Sequence, residues 1–475
     1  MRTEGPNAEK LIKAFLNEPE ETQFLEFKRV NGKGVVSKII QTIIAFANTD
    51  GGEIILGIDD PEKTKLKGFD RVYGIEEDKE SYDEIFREAK RITPFILVRK
   101  LEIPLLDSGK TVVMLSVPKA TNDLHSIDGH YYERLKKGNK ELSAGEVINL
   151  RYARGFSRAD SELVDVDFAL LDTQYYASWR DNRGISGNIK EVLTKTGLAK
   201  KGKPTRAAVM LFAEYPTGLM DTKCAIKIMK YTSTIEQYGE TPNMIGVPKI
   251  IDAPIIEQIS KAQKYVLLML SQGIEIHSGF VTKYLIPERA IKEAITNAVI
   301  HRDYYIKRDI EIKIFEDRIE IISPGLFPYN INKNNIGFVR SDGYRNDLIV
   351  KTLREFPSPP NLDQNEGVVA MRNEMKAEGL YPPVFRTYPE TYNTVEVVLL
   401  NEHTPSEWEK VKEYLELNHY ITNSEAREIT GVVQTHTMSR LFAKWVNQGL
   451  LLRIDTDNGP KNIRYKLPYR KNDES

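Results

Sequence analysis

Residues 45–60 of the chain read AFANTDGGEIILGIDD. Gly51–Gly52 is a strong turn signal, and the apolar run EIILGI that follows it predicts a strand. KTVVMLSVP at residues 110–118 and the stretch at residues 131–134 predict further strands, and helical patterns separate them. Residues 5–154 are therefore predicted to form one α/β unit.

The middle of the chain predicts a second α/β region. The apolar stretch at residues 207–212 predicts a strand, and a helix is predicted from Pro287. The segments IEIKIF and IEIIS predict a strand pair joined by a turn at residues 316–318. Longer helical stretches, which begin at residue 159, alternate with these strands, as is typical of an α/β domain.

The C-terminal segment predicts three helices and a hairpin. In residues 404–407, TPSE, threonine can cap the first helix, proline suits its first position and glutamate completes a capping box. Further helices are predicted at residues 424–430 and 434–447, and the segments LLLRI and IRYKL predict the hairpin. This order is the plan of a winged helix-turn-helix.

In that plan the third helix enters the major groove of DNA and the wing touches phosphate. The predicted contacts are Gln434, Thr435, His436, Ser439 and Arg440 on the helix, with Lys461 and Arg464 on the wing. Winged helices also dock proteins or form dimers, so DNA binding and protein docking both stay open.

Length and composition set bounds on the whole chain. A chain of 475 residues exceeds what one core usually organises, and we predict domains at residues 1–155, 156–400 and 401–475. The net charge of -1 indicates that any contact with nucleic acid is local. The one cysteine, Cys224, excludes a disulfide within the chain and indicates a reducing compartment. There is no apolar leader and no apolar run long enough to cross a bilayer, so we expect a cytoplasmic protein without membrane contact.

Charged residues are concentrated in ETQFLEFKR, where Glu21, Glu26 and Lys28 are predicted to lie on one strand. Glu26 and Lys28 share a face of that strand because successive side chains alternate, and Asp60 ends a neighbouring strand. Such carboxylates can hold Mg²⁺ or Mn²⁺ and polarise a water beside a phosphodiester. The other interpretation is a solvated ion pair between Glu26 and Lys28, with Asp60 only ending a strand.

Basic and aromatic residues surround this cluster. They are Arg29, Lys33, Lys38, Arg134, Lys136, Lys137 and Lys140, with Tyr131 and Tyr132. Cations that follow phosphates and rings that stack on bases form nucleic-acid surfaces. An ordinary solvated edge has the same composition, so both interpretations stay open.

The motifs ETQFLEFKR, AFANTDGGEIILGIDD and YYERLKKGNKELS resemble the AlbA-like domain that bacterial regulators share with the Schlafen proteins. The resemblance covers about the first third of the chain. It implies that Glu21, Glu26 and Asp60 correspond to the acidic positions with which ribonuclease-active Schlafens cleave tRNA or rRNA. The Schlafen core pairs two such lobes, whereas this chain has one, so a homodimer or higher homo-oligomer is expected.

The predicted central helix contains Glu293, Asn297 and His301 at steps of four residues. This spacing places the three side chains on one face, among apolar neighbours. The stripe predicts a lining for a binding site. A solvent-facing stripe on a half-buried helix is the other interpretation.

The segments ERAIKEAITNAVIHRDY, EDRIEIISPGLFP and NEGVVAMRNEMKAEGLYPPVF resemble a divergent module of the GHKL ATPases, which have a Bergerat-type fold. The resemblance implies that Glu293 is a catalytic base, that Asn297 binds Mg²⁺, and that Gly325 and Gly367 lie at bound ATP. Two departures are Ser323, where an aspartate would contact adenine, and a nucleotide lid reduced to residues 366–368. No GxxxxGK[ST] phosphate loop occurs, so helicase activity is not expected.

The sequence thus predicts an α/β multidomain protein with a Schlafen AlbA-like domain, a Bergerat-like α/β sandwich and a C-terminal winged helix-turn-helix. The first functional hypothesis is a metal-dependent Schlafen-type endoribonuclease on a tRNA-like substrate, with Lys28 stabilising phosphate charge, control by the ATP-binding-like module and a role in antiviral defence. The second is a non-enzymatic, ATP-sensing, DNA-binding transcriptional regulator. A third is a weak ATPase that drives a clamp-like dimer on DNA.

Overall fold

The computed structural model describes residues 6–18, 20–105, 108–220, 222–237, 243–272, 274–275, 281–282, 284–333, 335–360, 367–387, 391, 393–454 and 463–468. The chain divides into two compact units, one of residues 1–151 with 453–466 and the other of residues 152–452 with 467–475. Both units mix helices with strands, which confirms the predicted α/β class.

Helices and strands of the first unit follow one another along the chain. The helices are α1 (Pro6–Leu16), α2 (Lys33–Asn48), α3 (Lys79–Ala89) and α4 (Ala144–Ala153), which begins in this unit. The strands are β1 (Leu25–Lys28), β2 (Gly52–Leu56), β3 (Arg99–Leu105), β4 (Lys110–Val117), β5 (Tyr132–Arg134) and β6 (Asn139–Glu141). The strands predicted over EIILGI, KTVVMLSVP and residues 131–134 are thereby confirmed.

A four-stranded sheet in the order β1-β2-β4-β3 forms the centre of the first unit. Strands β1 and β2 are parallel, with Glu26 opposite Ile54 and Lys28 opposite Leu56. The pairs β2–β4 and β3–β4 are antiparallel. The register therefore places the charged residues of β1 beside β2, whose chain continues to Asp60.

Both faces of this sheet are covered. Ile54 packs with α2 in one apolar cluster, whereas Ile55 packs with Ile12 and Phe27 in another. Since neighbouring residues of a strand point to opposite faces, the continuous run IIL is what a strand buried on both sides requires.

The turn before β2 requires a glycine. Gly51 has φ +78°, and a Cβ at this position would lie 2.8 Å from the backbone oxygen of Val117. A side chain there would strain the backbone and meet the neighbouring strand. The prediction that Gly51–Gly52 opens this strand is confirmed, because β2 begins at Gly52.

Glu21 does not lie on a strand, and the prediction that it shares a strand with Glu26 and Lys28 is wrong. β1 begins at Leu25, and residues 21–24 form an irregular segment before it. The backbone N–H of Phe27 donates to Glu21 Oε1 at 3.1 Å, so this segment folds back along the strand.

The second unit begins with short elements and continues with longer ones. Its helices before residue 400 are α5 (Gln174–Asn182), α6 (Ile189–Lys195), α7 (Arg206–Phe212), α8 (Pro216–Leu219), α9 (Ile255–Ser271), α10 (Glu288–His301), α11 (Asp347–Leu353) and α12 (Gly367–Ala377). Its strands there are β7 (Ala199–Lys200), β8 (Lys203–Pro204), β9 (Ile226–Lys230), β10 (Lys249–Ile251), β11 (Ile274–Glu275), β12 (Val281–Thr282), β13 (Ile310–Ile314), β14 (Arg318–Pro324), β15 (Val384–Arg386) and β16 (Thr394–Leu400).

A six-stranded sheet in the order β10-β9-β13-β14-β16-β15 forms the centre of the second unit. Strands β9 and β13 are parallel and the other neighbours are antiparallel. Ile291 and Ile295 of α10 pack with Ile312 and Ile321 of the sheet in one large core. The predicted helix after Pro287 and the predicted β13–β14 hairpin are confirmed.

Residues 207–212 form helix α7, and the predicted strand there is wrong. All six of these residues are buried, so the run has no polar side that would reveal its period. A short continuous apolar run fits a buried strand and a buried helix equally well. Thr205 favours the helix over a strand because its side chain accepts a hydrogen bond from the backbone N–H of Ala208 and caps the helix.

Three helices and short strands complete the chain. The helices are α13 (Ser406–Leu417), α14 (Asn423–Thr430) and α15 (Thr435–Asn447), and the strands are β17 (Ile421–Thr422), β18 (Leu452–Ile454) and β19 (Arg464–Lys466). The predicted helices and the strands of the hairpin are confirmed. The predicted wing residue Lys461 lies outside the described residues, and the winged helix-turn-helix itself stays a prediction.

The predicted cap of α13 is wrong, because Pro405 is the N-cap residue and makes no side-chain cap bond. Thr404 instead donates from Oγ1 to the backbone oxygen of Gly379 at 3.2 Å. The capping box of this region is at α14, where Thr422 and Glu425 bond each other's backbone N–H groups.

An aromatic cluster forms the core of the three C-terminal helices. Trp408 and Trp445 are buried with ring centroids 5.3 Å apart. The indole N–H of Trp445 donates to the hydroxyl of Tyr381 at 3.0 Å, which fixes the cluster to the segment before β15.

We expect Ile54→Ala and Ile55→Ala to destabilise the first unit by similar amounts, about 2 to 5 kcal/mol each, because each side chain is fully buried on its own face of β2. Hydrogen exchange of the β2 amides in the full chain measures the loss. Lys38→Ala, on the exposed side of α2, should change the free energy of unfolding of this unit by less than about 0.5 kcal/mol. An effect at only one of the two isoleucines would contradict a sheet covered on both faces.

Candidate functional site

The three predicted acidic residues of the first unit are buried together. Glu21, Glu26 and Asp60 expose 6%, 4% and 7% of their surfaces. Burial raises the pKa of Glu21, Lys28 lowers it, and the charges of Glu26 and Asp60 raise it further. Because the charges of the other two carboxylates influence Glu21, the three form one electrostatic cluster.

Lys28 contacts both glutamates. Its ammonium lies 3.4 Å from Glu21 Oε1 and also pairs with Glu26. The side chain is 14% exposed, so the ammonium lies at the edge of the cluster. A cation in this position can balance negative charge on a phosphate oxygen.

Lys63 is a further member of the cluster that sequence reasoning missed. Its ammonium lies 2.5 Å from Asp60 Oδ2, and its side chain is 72% exposed. The backbone N–H of Glu62 donates to Asp60 Oδ1 at 3.0 Å. The hydrogen bond to Asp60 raises the pKa of Lys63, so the lysine stays charged at neutral pH. The three-residue spacing from Asp60 was the available signal.

Arg134 is fully buried, and the prediction that it contacts nucleic acid is wrong. Its Nη1 lies 2.6 Å from Glu26 Oε2, and none of its side-chain surface is exposed. The side chain occupies the interior because strand β5 packs against α2. The arginine faces the acidic cluster from inside the domain, where a phosphate has no access.

In the residues that the structure describes, no group of three or more histidine, cysteine, aspartate or glutamate side chains could hold a metal ion. Carboxylates are the donors that Mg²⁺ and Mn²⁺ take, but here Lys28, Arg134 and Lys63 lie against their oxygen atoms. In this arrangement the residues do not fit a bound metal ion. The assignment of Glu21, Glu26 and Asp60 as metal ligands stays a prediction.

The other basic residues predicted around the cluster differ in their surroundings. Lys33, Lys38 and Lys136 are exposed. Arg29 pairs with Glu77 and lies over the ring of Tyr73.

Lys137, Lys140 and Tyr132 are partly engaged by the protein itself. Lys137 pairs with two glutamates, and Lys140 pairs with Glu146. Tyr132 is half-buried and packs against the core beside α2. Lys137 and Lys140 are exposed as well, but their ion pairs make them less available for phosphate contacts than Lys33, Lys38 and Lys136.

The second unit contains a cavity beside α10 with about 1180 Å³ of space that is free of protein atoms and continuous with solvent. Glu293, Asn297, Gly325 and Gly367, the four predicted nucleotide-binding residues, all line it. Most of the remaining lining is apolar. Concave, mostly apolar spaces with a few polar groups are typical of sites for small ligands.

The N-terminus of α12 closely approaches the polar side of this cavity. A Cβ on Gly367 would lie 2.8 Å from Glu293 Oε2 and 3.1 Å from Asn297 Nδ2. Gly325, on another wall, has φ +122°, and a Cβ there would clash with the guanidinium of Arg345. Gly325 is therefore required by its backbone conformation and by close approach, whereas a Cβ on Gly367 would meet the ends of the Glu293 and Asn297 side chains.

Ser323 lines the same cavity and is buried. Its hydroxyl donates to the backbone oxygen of Ala298 at 2.8 Å, which ties β14 to α10. The hydroxyl proton is used within the protein, so Ser323 can offer only an acceptor to a ligand.

His301, the third residue of the predicted stripe, also lines the cavity. Its ring stacks on Tyr344 with centroids 5.7 Å apart. Burial, together with the charge of Arg345, lowers the pKa of His301 to about 4. The imidazole is therefore neutral at physiological pH.

An exposed groove on α15 contains the predicted recognition residues. It is lined by Gln434, Thr435, His436, Ser439, Arg440 and Ala443. Met438, Phe442 and Trp445 occupy the opposite, buried side of the helix. Arg464, predicted for the wing, is half-buried in β19.

The family comparisons indicate a function that is related to nucleic acid. Residues 21–143 match the family model described as "Schlafen, AlbA_2", so the chain contains a Schlafen AlbA_2 domain that includes the acidic cluster. Residues 307–399 match the model described as "Putative ATP-dependent DNA helicase recG C-terminal". That second match includes Gly325 and Gly367, whereas Glu293 and Asn297 precede it. Among curated proteins, no match was found.

Solved structures with low sequence identity also align with the chain. A crystal structure of the DIP2311 protein from Corynebacterium diphtheriae is 17% identical, covers 97% of this chain and 98% of its own, and has a TM-score of 0.40. A solution NMR structure of the N-terminal domain of a RecG-related protein from Nitrosomonas europaea is 22% identical, covers 24% of this chain and 73% of its own, and has a TM-score of 0.19.

Among the described residues, no helix has the length and apolar character needed to span a membrane.

We expect the stability of the second unit to fall between pH 6.5 and 4, because the unfolded chain binds a proton at His301 that the folded protein does not. The loss from this group is at most about 3 kcal/mol. Melting temperatures from pH 7.5 to 4.5 measure it, and His301→Gln should reduce the pH dependence. His130→Gln, at an exposed imidazole, is the matched control. Equal pH dependence in His301→Gln and the unaltered protein would contradict the assignment.

Proposed function

We propose that the protein is an endoribonuclease of the Schlafen type and that Glu21, Glu26, Asp60 and Lys28 form its reactive site. The supporting observation is the burial of three carboxylates in one cluster with lysine ammonium groups at its edge. A domain that only binds the nucleic-acid backbone has no need of carboxylates there, because they repel phosphate. The family match adds a function related to nucleic acid. The substrate proposed from the resemblance is tRNA-like RNA.

The environments of the cluster suggest different roles for its members. Glu21 has a raised pKa, which suits a group that takes a proton from the water molecule that attacks the phosphorus atom. Lys28 would balance the negative charge that develops on the phosphoryl oxygens. Glu26 pairs with Lys28 and so orients its ammonium. The leaving 5′ oxygen takes its proton from solvent.

The metal requirement stays a prediction. Mg²⁺ or Mn²⁺ would supply charge stabilisation at the phosphate, but a bound ion would have to displace Lys28 and Lys63 from the carboxylates. Cleavage in EDTA, compared with cleavage in Mg²⁺ and in Mn²⁺, distinguishes the two cases.

We expect Glu21→Gln and Glu26→Gln each to slow RNA cleavage at least about 100-fold, because each removes a charged group of the reactive site and keeps its shape. The assay follows labelled tRNA, single-stranded RNA and duplex DNA with purified full-length protein. Glu141→Gln, at an exposed glutamate that pairs with His130, is the matched control and should cleave at the normal rate. Absence of cleavage on every RNA would contradict the nuclease, and full activity of both variants would contradict the assignment of its site.

A nucleotide-sensing DNA-binding regulator is the second candidate. It is favoured by the cavity of the second unit, which brings the four predicted nucleotide-binding residues together, and by the exposed face of α15. In this function ATP occupies the cavity, with Asn297 toward a phosphate-bound Mg²⁺ and the N-terminus of α12 toward the phosphates. DNA lies against Gln434, His436 and Arg440.

We expect Gly367→Ala to weaken binding of ATP to the full-length protein at least about 10-fold, because its Cβ would occupy the space beside Glu293 and Asn297. Isothermal titration with MgATP measures the affinity. Gly218→Ala, at a helical glycine with open space around its added Cβ, is the control and should bind normally. Equal affinity of the two variants would exclude this mode of binding. If a titration of the unaltered protein with MgATP showed no binding, ATP would be excluded as the ligand.

Assembly and biology are proposals that rest on the resemblance. A homodimer or higher homo-oligomer would supply the second lobe of a Schlafen-type groove. The same resemblance suggests antiviral defence, whereas a cytoplasmic location stays a separate prediction. Sedimentation analysis of the full chain, alone and with RNA, tests the assembly.

A further inference from the structure

Arg134 is a buried cation whose donors are directed to named acceptors. Its Nη2 donates to the backbone oxygen of Thr22 at 2.8 Å and to that of Leu25 at 3.4 Å. Its Nε also donates to Thr22 at 3.3 Å, and its Nη1 donates to Asn139 Oδ1 at 3.2 Å. A guanidinium offers five N–H donors in a rigid plane, so one side chain can hold several segments at once.

The acceptors belong to the segment that carries the reactive glutamates. Thr22 follows Glu21 directly, and Leu25 precedes Glu26 directly. The guanidinium also lies 2.6 Å from Glu26 Oε2 through Nη1. Arg134 therefore bonds the backbone beside each glutamate and faces the carboxylate of one of them.

We propose that Arg134 is a positioning residue that holds Glu26, and through it Lys28, from inside the domain and does not bind nucleic acid. The inference deepens the proposed nuclease and rests on it for its effect on the reaction rate. The carboxylate of Glu26 is 4% exposed, and the cation buried with it fixes its orientation. Lys28 pairs with the same carboxylate and is oriented by it.

Two further contacts fix the guanidinium. It lies over the ring of Phe46 with 4.9 Å between the guanidinium carbon and the ring centroid. Asn139, its side-chain acceptor, donates from Nδ2 to Thr42 Oγ1 at 2.8 Å. Phe46 and Thr42 both belong to α2, so the helix positions the arginine directly through the ring and indirectly through Asn139 of β6.

The test compares Arg134→Lys and Asn139→Ala with the unaltered full-length protein. Lysine keeps the charge but loses the planar set of donors, and Asn139→Ala removes one acceptor at a half-buried position without removing the arginine. We expect kcat for RNA cleavage to fall at least about 10-fold in Arg134→Lys and less in Asn139→Ala. KM and the RNA dissociation constant should change less than about twofold in both variants.

Salt dependence of RNA binding separates positioning from phosphate contact. A lost phosphate contact reduces the slope of log K against log salt by about 0.7 for single-stranded RNA. We expect that reduction in Lys136→Ala, an exposed neighbour, and no change in Arg134→Gln, which removes the charge that a phosphate contact would use. A reduced slope in Arg134→Gln would overturn the inference.

A double-variant cycle provides a readout that does not depend on cleavage. If Arg134 acts through Glu26, the melting-temperature shifts of Glu26→Gln and Arg134→Lys should not add in the double variant. Additive shifts would overturn the inference even when both single variants fold. If the unaltered protein cleaves no RNA, the nuclease is excluded, while this cycle and the salt slopes still decide whether Arg134 positions Glu26.

Discussion

The three buried carboxylates of the first unit repel one another, and the cations beside them offset this repulsion. This charge balance is the constraint on which the site of the first unit depends. Arg134 supplies one cation from inside, whereas Lys28 and Lys63 supply two from the edge. The inner cation is fixed by backbone oxygens and cannot leave, but the outer lysines reach solvent. In the proposed nuclease, a substrate phosphate would meet the lysines, while the carboxylates behind them would stay in place.

This asymmetry connects the fold with the proposed chemistry. The parallel pairing of β1 with β2 places Glu26 beside the strand that leads to Asp60, and the folded-back segment adds Glu21. Strand β5 contributes Arg134 from far along the chain. The reactive site therefore exists only when the sheet, α2 and β5 have assembled.

The second unit builds its site by close approach of backbone and not by charge balance. Gly367 lets the start of α12 come near Glu293 and Asn297, and Gly325 leaves space for Arg345. The buried guanidinium of Arg345 donates to the backbone oxygen of His301 at 2.9 Å and thereby supports the end of α10. Gly325 and Gly367 thus bring backbone close to the side chains that line the cavity.

Local patterns determined much of the secondary structure and the membership of the sites. Period and turn signals predicted β2, β4, α10 and the β13–β14 hairpin, because each has one clear side or one obligatory glycine. The acidic residues were apparent because the motifs that contain them resemble a known domain. The apolar run 207–212 was ambiguous because burial on every side removes the period that distinguishes a helix from a strand.

Tertiary structure alone decided which cations accompany the carboxylates. Arg134 and Lys136 are close in sequence and alike in charge, yet one is buried and the other exposed. Glu21 precedes β1 and joins the cluster through the backbone N–H of Phe27 and the ammonium of Lys28. The sequence by itself determined the spacing of the acidic, basic and glycine residues within recognisable motifs. Burial depends on contacts between residues more than a hundred positions apart, and it decided which partner each of these side chains contacts.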